Sequence, residues 1–226
     1  MIMDYRHEWK HMISPMDRVI LRQRLRSVMK TDENAANGRY LIRSLYFDTP
    51  KDTALCEKID GVNYREKFRI RYYNGDTSMI RLEKKSKIAG LSKKQSAEVT
   101  ADEVQKILDG DLAWMLTADR PLVCELYTKM QAGQLSPKTI VEYTREPFVY
   151  APGNVRVTMD YDIRTGLSHL DFLNPLSTTI PAGEEQNIIL EVKWDEFLPD
   201  VIRSAVQLPG RRVTAFSKYA QCRIYG

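Results

Sequence analysis

The chain has 226 residues, and its 43% hydrophobic and 28% charged residues exclude collagen-like, low-complexity and wholly disordered chains. No run approaches the roughly 18 consecutive apolar residues of a membrane span, and the start, Met1 to Lys10, carries charge where a signal peptide is apolar. Both features predict a soluble, cytoplasmic protein, and the length predicts one domain, residues 1–226. The net charge of +4 is unevenly spread: between Arg65 and Lys94 lie ten basic and three acidic residues, a +7 segment in a chain that is otherwise −3. Such a concentrated positive field predicts a polyanionic partner.

Elements follow in chain order from the period of their apolar positions. A helix is expected over 15–30. A strand over 39–49 is rich in aromatic and branched residues and closes on Asp48-Thr49-Pro50, after which a short helix over 51–59 stops at Asp60-Gly61. Strands over 63–73 and 78–87 flank Asn74-Gly75-Asp76, a hairpin signal because asparagine and glycine accept positive φ. Helices over 101–108 and 116–131, strands over 138–150, 154–164 and 186–194, and helices over 199–208 and 215–223 complete the chain.

Alternate residues of a strand share a face. Arg65, Lys67, Arg69 and Arg71 therefore line one face, and Phe68, Ile70 and Tyr72 the other; Arg81, Glu83, Lys85 and Lys87 likewise oppose Ile80 and Leu82. The pattern recurs in Glu8/Lys10, in Arg156/Thr158/Asp160 opposite Val155/Val157/Met159, and in Glu191/Lys193 opposite Leu190/Val192. A solvated outer face would explain it. The amphipathic helices, however, need apolar sheet surface to cover, which leaves the charged faces inside a curved sheet, and carboxylates scattered singly among arginines suit a metal-plus-phosphate site. The expected fold is α+β: an antiparallel barrel of about eight strands, with a charged interior and peripheral helices. Lys84 and Lys87 read as plain surface charges, and Trp9, Trp114 and Trp194 as packing residues. Cys56, Cys124 and Cys222 form neither a disulfide framework nor a C-x-x-C motif, and His7, His11 and His169 lack zinc-site spacing.

Eight blocks in order resemble one family: Glu8-Trp9-Lys10, Arg43-Ser44-Leu45-Tyr46-Phe47-Asp48-Thr49, Arg65-x-Lys67-x-Arg69-x-Arg71-Tyr72-Tyr73, Leu82-Glu83-x-Lys85, Tyr143-x-Arg145, Val155-Arg156-Val157-Thr158-x-Asp160, Leu190-Glu191-Val192-Lys193 and Phe216-Ser217-Lys218-Tyr219. The family is the VTC domain, the polyphosphate polymerase domain of the vacuolar transporter chaperone family, within the triphosphate tunnel metalloenzyme superfamily. The resemblance implies a tunnel that binds a triphosphate and Mn²⁺ or Mg²⁺. It implies Lys10, Arg69, Arg71, Lys85, Arg145 and Arg156 as catalytic phosphate ligands, and Lys67, Lys94 (or its neighbour Lys93), Lys193 and Lys218 as further substrate-binding cations. Glu191 is the implied principal metal ligand, with Glu8, Glu83 and Asp160 as lesser ones. The chain departs from the resemblance at Arg6, where the superfamily carries the first carboxylate of E-x-E-x-K, at Ser96, where relatives carry arginine, and at Ala215, where some carry a basic residue.

Phosphoryl transfer needs in-line positioning and charge compensation rather than a side-chain nucleophile, and arginine forks bind phosphate oxygens in pairs. The implied reaction transfers the γ-phosphoryl group of ATP to inorganic phosphate or a growing polyphosphate end. Two alternatives stand beside it: a tripolyphosphate or nucleoside triphosphate hydrolase, and a non-catalytic polyphosphate or RNA binding module. RNA is disfavoured because Tyr72 alternates away from Arg71, whereas stacking rings share the charged face. No nucleic-acid partner and no membrane segment are expected, a membrane partner is left open, and oligomeric state is not legible.

Overall fold

A computed structural model describes residues 6–88, 91–183, 187–211 and 213–224. Gln186, the expected start of the last strand, and the first five residues of the charged N-terminal segment lie outside the described residues.

Among the described residues the strands are β1 (His7–Ile13), β2 (Lys30–Thr31), β3 (Tyr40–Asp48), β4 (Tyr64–Tyr73), β5 (Asp76–Ile88), β6 (Leu91–Val99), β7 (Ser136–Tyr150), β8 (Val155–Thr165), β9 (Ile180–Pro181) and β10 (Ile188–Trp194). The helices are α1 (Pro15–Val28), α2 (Thr53–Ile59), α3 (Ala101–Asp109), α4 (Pro121–Gly133), α5 (Asp200–Val206) and α6 (Lys218–Cys222). The strands form one antiparallel sheet in the order β1-β10-β8-β7-β3-β4-β5-β6, with β2 on β7 and β9 on β8. Eight strands lie on this path, as the sequence predicts. Among the described residues no pairing joins β6 to β1, so the sheet is open rather than closed. The outer edge of β1 is partly occupied instead: His11 bridges Val213, and the Thr214 amide donates to the Lys10 carbonyl at 2.7 Å.

The chain divides into two compact units. The first comprises Met1–Leu41, Tyr143–Ile163 and Pro181–Ser217. Its helix α1 begins with a reciprocal cap: Ser14 Oγ accepts from the Asp17 amide at 3.1 Å, and the Ser14 amide donates to Asp17 Oδ2 at 2.9 Å, with Pro15 at the first helical position. Leu21 and Leu25 of α1 and Ile202 and Val206 of α5 pack on Val155, Val157, Met159, Leu190 and Val192, the apolar alternates of β8 and β10. Each fully buried leucine contributes about 1.5–3 kcal/mol. With that face covered, the charged alternates project to the other. Trp9 and Trp194 pack edge to face, centroids 4.6 Å apart, in the packing role the sequence predicts.

The second unit comprises Ile42–Glu142, Arg164–Ile180 and Lys218–Gly226. Asn74 (φ 52°) and Gly75 (φ 73°) both sit in the left-handed region, which a two-residue hairpin turn between β4 and β5 requires. Phe68, Ile70, Tyr72, Ile80 and Leu82 pack under Val104 and Ile107 of α3 and Leu122, Val123 and Leu126 of α4. The expected helix over 116–131 is instead a 3-10 turn, Ala113–Thr117, followed by α4, because Pro121 cannot continue a helix but suits the first position of one. The helix expected over 215–223 narrows to α6. Strand β6 was not anticipated, because Leu-Ser-Lys-Lys-Gln-Ser-Ala-Glu-Val has little strand propensity of its own; pairing along β5 makes it a strand. Lys84 corrects another expectation. It lies on the helix-covered face of β5, buried, where its ammonium pairs with Glu66 at 2.9 Å and with Glu125.

Candidate functional site

In the first unit, register places Lys10 opposite Glu191 and Glu191 opposite Thr158; the next row is Glu8, Lys193 and Arg156. All six share one face, since directly paired residues project together. Lys10 Nζ lies 3.6 Å from Glu8 Oε1 and 3.5 Å from Glu191 Oε1, and Lys193 Nζ lies 3.5 and 3.1 Å from the same two atoms. Two ammonium groups thus straddle two carboxylates. Glu191 is 5% exposed. Burial alone would raise its pKa, but Lys193, Lys10, a hydrogen bond with Glu8, and Arg145 together hold it well below the usual carboxylate range. Lys10 responds in kind: burial lowers its pKa, and Glu191 and Glu8 more than reverse that.

Arg145 forks onto Asp160, Nε to Oδ1 at 2.6 Å and Nη2 to Oδ2 at 2.7 Å, and lies 3.6 Å from Glu191. Burial opposes its charge, yet Asp160, Tyr143 and Glu191 keep its pKa well above the ordinary guanidinium value. Both Asp160 oxygens are engaged by this fork, so its evident task here is to aim Arg145. Arg156 is held by Asp32 Oδ2 at 2.7 Å and Tyr40 Oη at 2.6 Å, partners with no sequence signal.

The second unit carries a different balance. Glu83, 2% exposed, accepts from Arg69 at 2.9 and 2.8 Å, and lies 2.7 Å from Arg71 Nη2 and 2.6 Å from Lys94 Nζ. Three cations share one carboxylate, so the cluster stays positive. Burial would raise the Glu83 pKa, but Arg69, Arg71 and Lys94 bring it down to about 2. Lys94 is itself held below the usual lysine value, because burial together with Arg71 and Arg69 outweighs its pairing with Glu83. Lys94 and not Lys93 shares this face: Lys94 pairs in register with Lys85, and Lys93 with Ser86. Ser96 lies opposite Glu83.

Lys85 is directly opposite both Lys67 on β4 and Lys94 on β6. Three lysines therefore run in a row across three strands about 4.8 Å apart, an arrangement that like-charge repulsion disfavours. Lys67 Nζ sits 4.9 Å from the centre of the Tyr219 ring, and Lys218 opens α6 one residue before it. Tyr219 stacks on Tyr46, which accepts from Arg69 Nη1 at 3.0 Å. The Tyr219 hydroxyl donates to Asp48 Oδ2 at 2.5 Å, and Asp48 accepts from the backbone amides of Thr49, Ala54 and Leu55 at the start of α2. Tyr46, Asp48 and Tyr219 stand inside the resembling blocks, yet their positioning role was not read from the sequence.

The Glu83 cluster has a clear pH signature. A carboxyl lowered to about 2 from an ordinary value near 4.3 contributes stability that is full above the unfolded value and disappears as pH falls through the folded one. Glu83→Gln is expected to cost roughly 3 kcal/mol at pH 7, and the gap from wild type should close toward pH 2. Urea denaturation of both proteins across that range measures it.

Among the described residues no three His, Cys, Asp or Glu side chains converge into an all-protein metal cage. Mg²⁺-type ions need none, since they are held by one or two carboxylates plus substrate phosphates and water. The donors present fit that mode: Glu191 and Glu8 offer hard oxygen ligands, which Lys10 and Lys193 neutralise in this structure.

One antiparallel sheet in this order carries carboxylates and cations together on its charged strand faces. The VTC domain profile matches residues 5–224, and the chain belongs to that family. No curated protein matches it. Among solved structures it is similar to the PH1012 protein of Pyrococcus horikoshii OT3, with 12% identity and a TM-score of 0.52 over 96% of this chain and 99% of that one. It is also similar to PH1819 of the same organism, with 14% identity and a TM-score of 0.46 over 89% and 84%. The PH1012 likeness shows a common fold; family membership brings a function concerned with polyphosphate or triphosphate.

Proposed function

We propose that the protein is a metal-dependent polyphosphate polymerase, a cytoplasmic phosphotransferase acting on ATP, inorganic phosphate and polyphosphate. The observation that carries this reading is the row Lys67, Lys85, Lys94 beside the net-positive Arg69-Arg71-Glu83 cluster. A sheet bears opposed like charges at a cost, and a chain of phosphates relieves it. Arg69 and Arg71 present guanidinium forks that bind phosphate oxygens in pairs. In the first unit, Arg145, aimed by Asp160, and Arg156 do the same, with Lys10 and Lys193 free to turn from carboxylate to phosphate as charge demands. Lys218 adds a cation from α6. Glu191, with Glu8, would hold Mn²⁺ or Mg²⁺, which supplies Lewis-acid compensation of phosphate charge when bound.

In the reaction, an oxygen of phosphate or of a polyphosphate end forms a bond to the γ-phosphorus of ATP. The bond from that phosphorus to the β,γ-bridging oxygen breaks, and ADP leaves with the electron pair. Tyr72 is buried on the opposite face, away from Arg71, which fits a phosphate chain better than stacked bases. Incubation with γ-labelled ATP and Mn²⁺, with and without phosphate, tests the reading by gel. The expected product is a metal-dependent ladder of labelled polymer; labelled orthophosphate alone would make the protein a hydrolase, and intact ATP would make it a binder.

A further inference from the structure

Ser44 lies on β3 directly opposite Arg71, and two residues on, Tyr46 lies opposite Arg69 and hydrogen-bonds to it. Paired residues of antiparallel strands project to the same face, so the Ser44 hydroxyl points to the face that bears Arg69, Arg71 and Glu83. Its side chain is wholly buried, at 0% exposure, and Oγ has no hydrogen-bond partner among the described residues. Buried hydroxyls are nearly always partnered, and an exception calls for a physical reason. The surroundings supply one: Arg69, Arg71 and Lys94 all pair with the single carboxylate of Glu83, and a cluster of this charge attracts an anion with several acceptor oxygens.

We propose that Ser44 is a phosphate-binding residue, its hydroxyl donating to a non-bridging oxygen of the phosphate chain gripped by Arg69 and Arg71. The proposal rests on the polyphosphate reading above. Charge from the arginines attracts any polyanion, whereas a single short-armed donor on a rigid strand fixes where one phosphate oxygen stops. The hydroxyl is therefore a liability to the ligand-free protein and an asset to the complex. This opposition of sign distinguishes it from a serine that merely packs.

The test is isothermal titration of inorganic tripolyphosphate, with the same Mn²⁺ concentration in cell and syringe, into wild type, Ser44→Ala and Arg71→Ala, together with thermal denaturation of each protein without ligand. Ser44→Ala should weaken tripolyphosphate binding about tenfold, the worth of a hydrogen bond to a charged group, while raising the melting temperature of the free protein by a few degrees. Ser44→Cys, which keeps the volume and offers only a weak donor, should also weaken binding with its fold intact. Wild type and both Ser44 variants binding equally, with Arg71→Ala impaired, would overturn the role of Ser44 and leave the phosphate site standing. A lowered melting temperature in Ser44→Ala would show a structural partner for the hydroxyl and overturn the proposal too. Wild type failing to bind would overturn the polyphosphate reading itself, and the proposal with it.

Discussion

Glu191→Ala is expected to lose both stability and catalysis, and the two losses are separable. The carboxylate lies 3.1 Å from Lys193, 3.5 Å from Lys10 and 3.6 Å from Arg145. Its removal takes one carboxylate from Lys10, Lys193 and Arg145 and leaves them Glu8 and Asp160 as their nearest anions among the described residues. Breaking a buried pair by deleting one partner costs about 3–5 kcal/mol. Glu191→Gln keeps the shape and some of the hydrogen bonding, so it should recover part of that stability. Neither variant offers the charged oxygen that a hard dication requires, and both should form polymer at least about 100-fold more slowly, beyond the upper end of losses seen when only a supporting shell is changed. Chemical denaturation and polymer synthesis at a series of Mn²⁺ concentrations measure the two effects. A Glu191→Gln protein that polymerises at the wild-type rate would remove Glu191 from the metal site.

The second large effect lies away from the phosphate face. Arg43 is 4% exposed and alternates onto the helix-covered side of β3, where its Nε donates to Glu142 Oε2 at 2.7 Å. The same guanidinium donates to the carbonyls of Asn174, Pro175 and Ser177, so one side chain fastens the segment after Phe172 to the sheet. Arg43→Ala strands a buried carboxylate and deprives three carbonyls of a donor, a loss of about 3–5 kcal/mol. The pair Arg43→Met with Glu142→Leu should regain much of it, since an apolar pair carries no desolvation debt. Full recovery is not expected, because the three carbonyls still lack their donor. Denaturation of both single variants and the double variant gives the coupling directly. Equal stability of Arg43→Ala and wild type would show that this clasp contributes nothing.

The contrast between these two arginine-carboxylate systems shows what the sequence makes legible. Alternation of charged and apolar residues in β4, β5, β8 and β10, broken at Glu66 and Lys84, is readable because a strand has a period of two and one of its faces is covered by helices. The same rule places Arg69, Arg71, Glu83, Glu191 and Lys193 on charged faces from the sequence alone. Partnership was not legible, because it depends on which strands lie side by side. Glu83 serving three cations, Arg156 turning to Asp32 and Tyr40, and the lysine row across β4, β5 and β6 all depend on register. Strand β6 is not legible because its residues become a strand only against β5, and the burial of Lys84 is not legible because a lone lysine on a covered face gives no warning of Glu66 and Glu125. The open edge of the sheet belongs in the same class, since β1 meets Val213 and Thr214 through a contact of some 200 residues in sequence separation.

In the proposed function, the row Lys67, Lys85 and Lys94 and the Arg69-Arg71-Glu83 cluster together bind a chain of phosphates. Thermal denaturation of the wild-type protein over increasing inorganic tripolyphosphate, against sodium sulfate at matched ionic strength, tests it most directly. Ligand at 100 times its dissociation constant stabilises the folded state by about 2.7 kcal/mol, which for a chain of this size raises the melting temperature by roughly 5–10 °C. The account predicts that rise with tripolyphosphate and a much smaller one with sulfate. An identical response to the two anions, or none to tripolyphosphate, would contradict it.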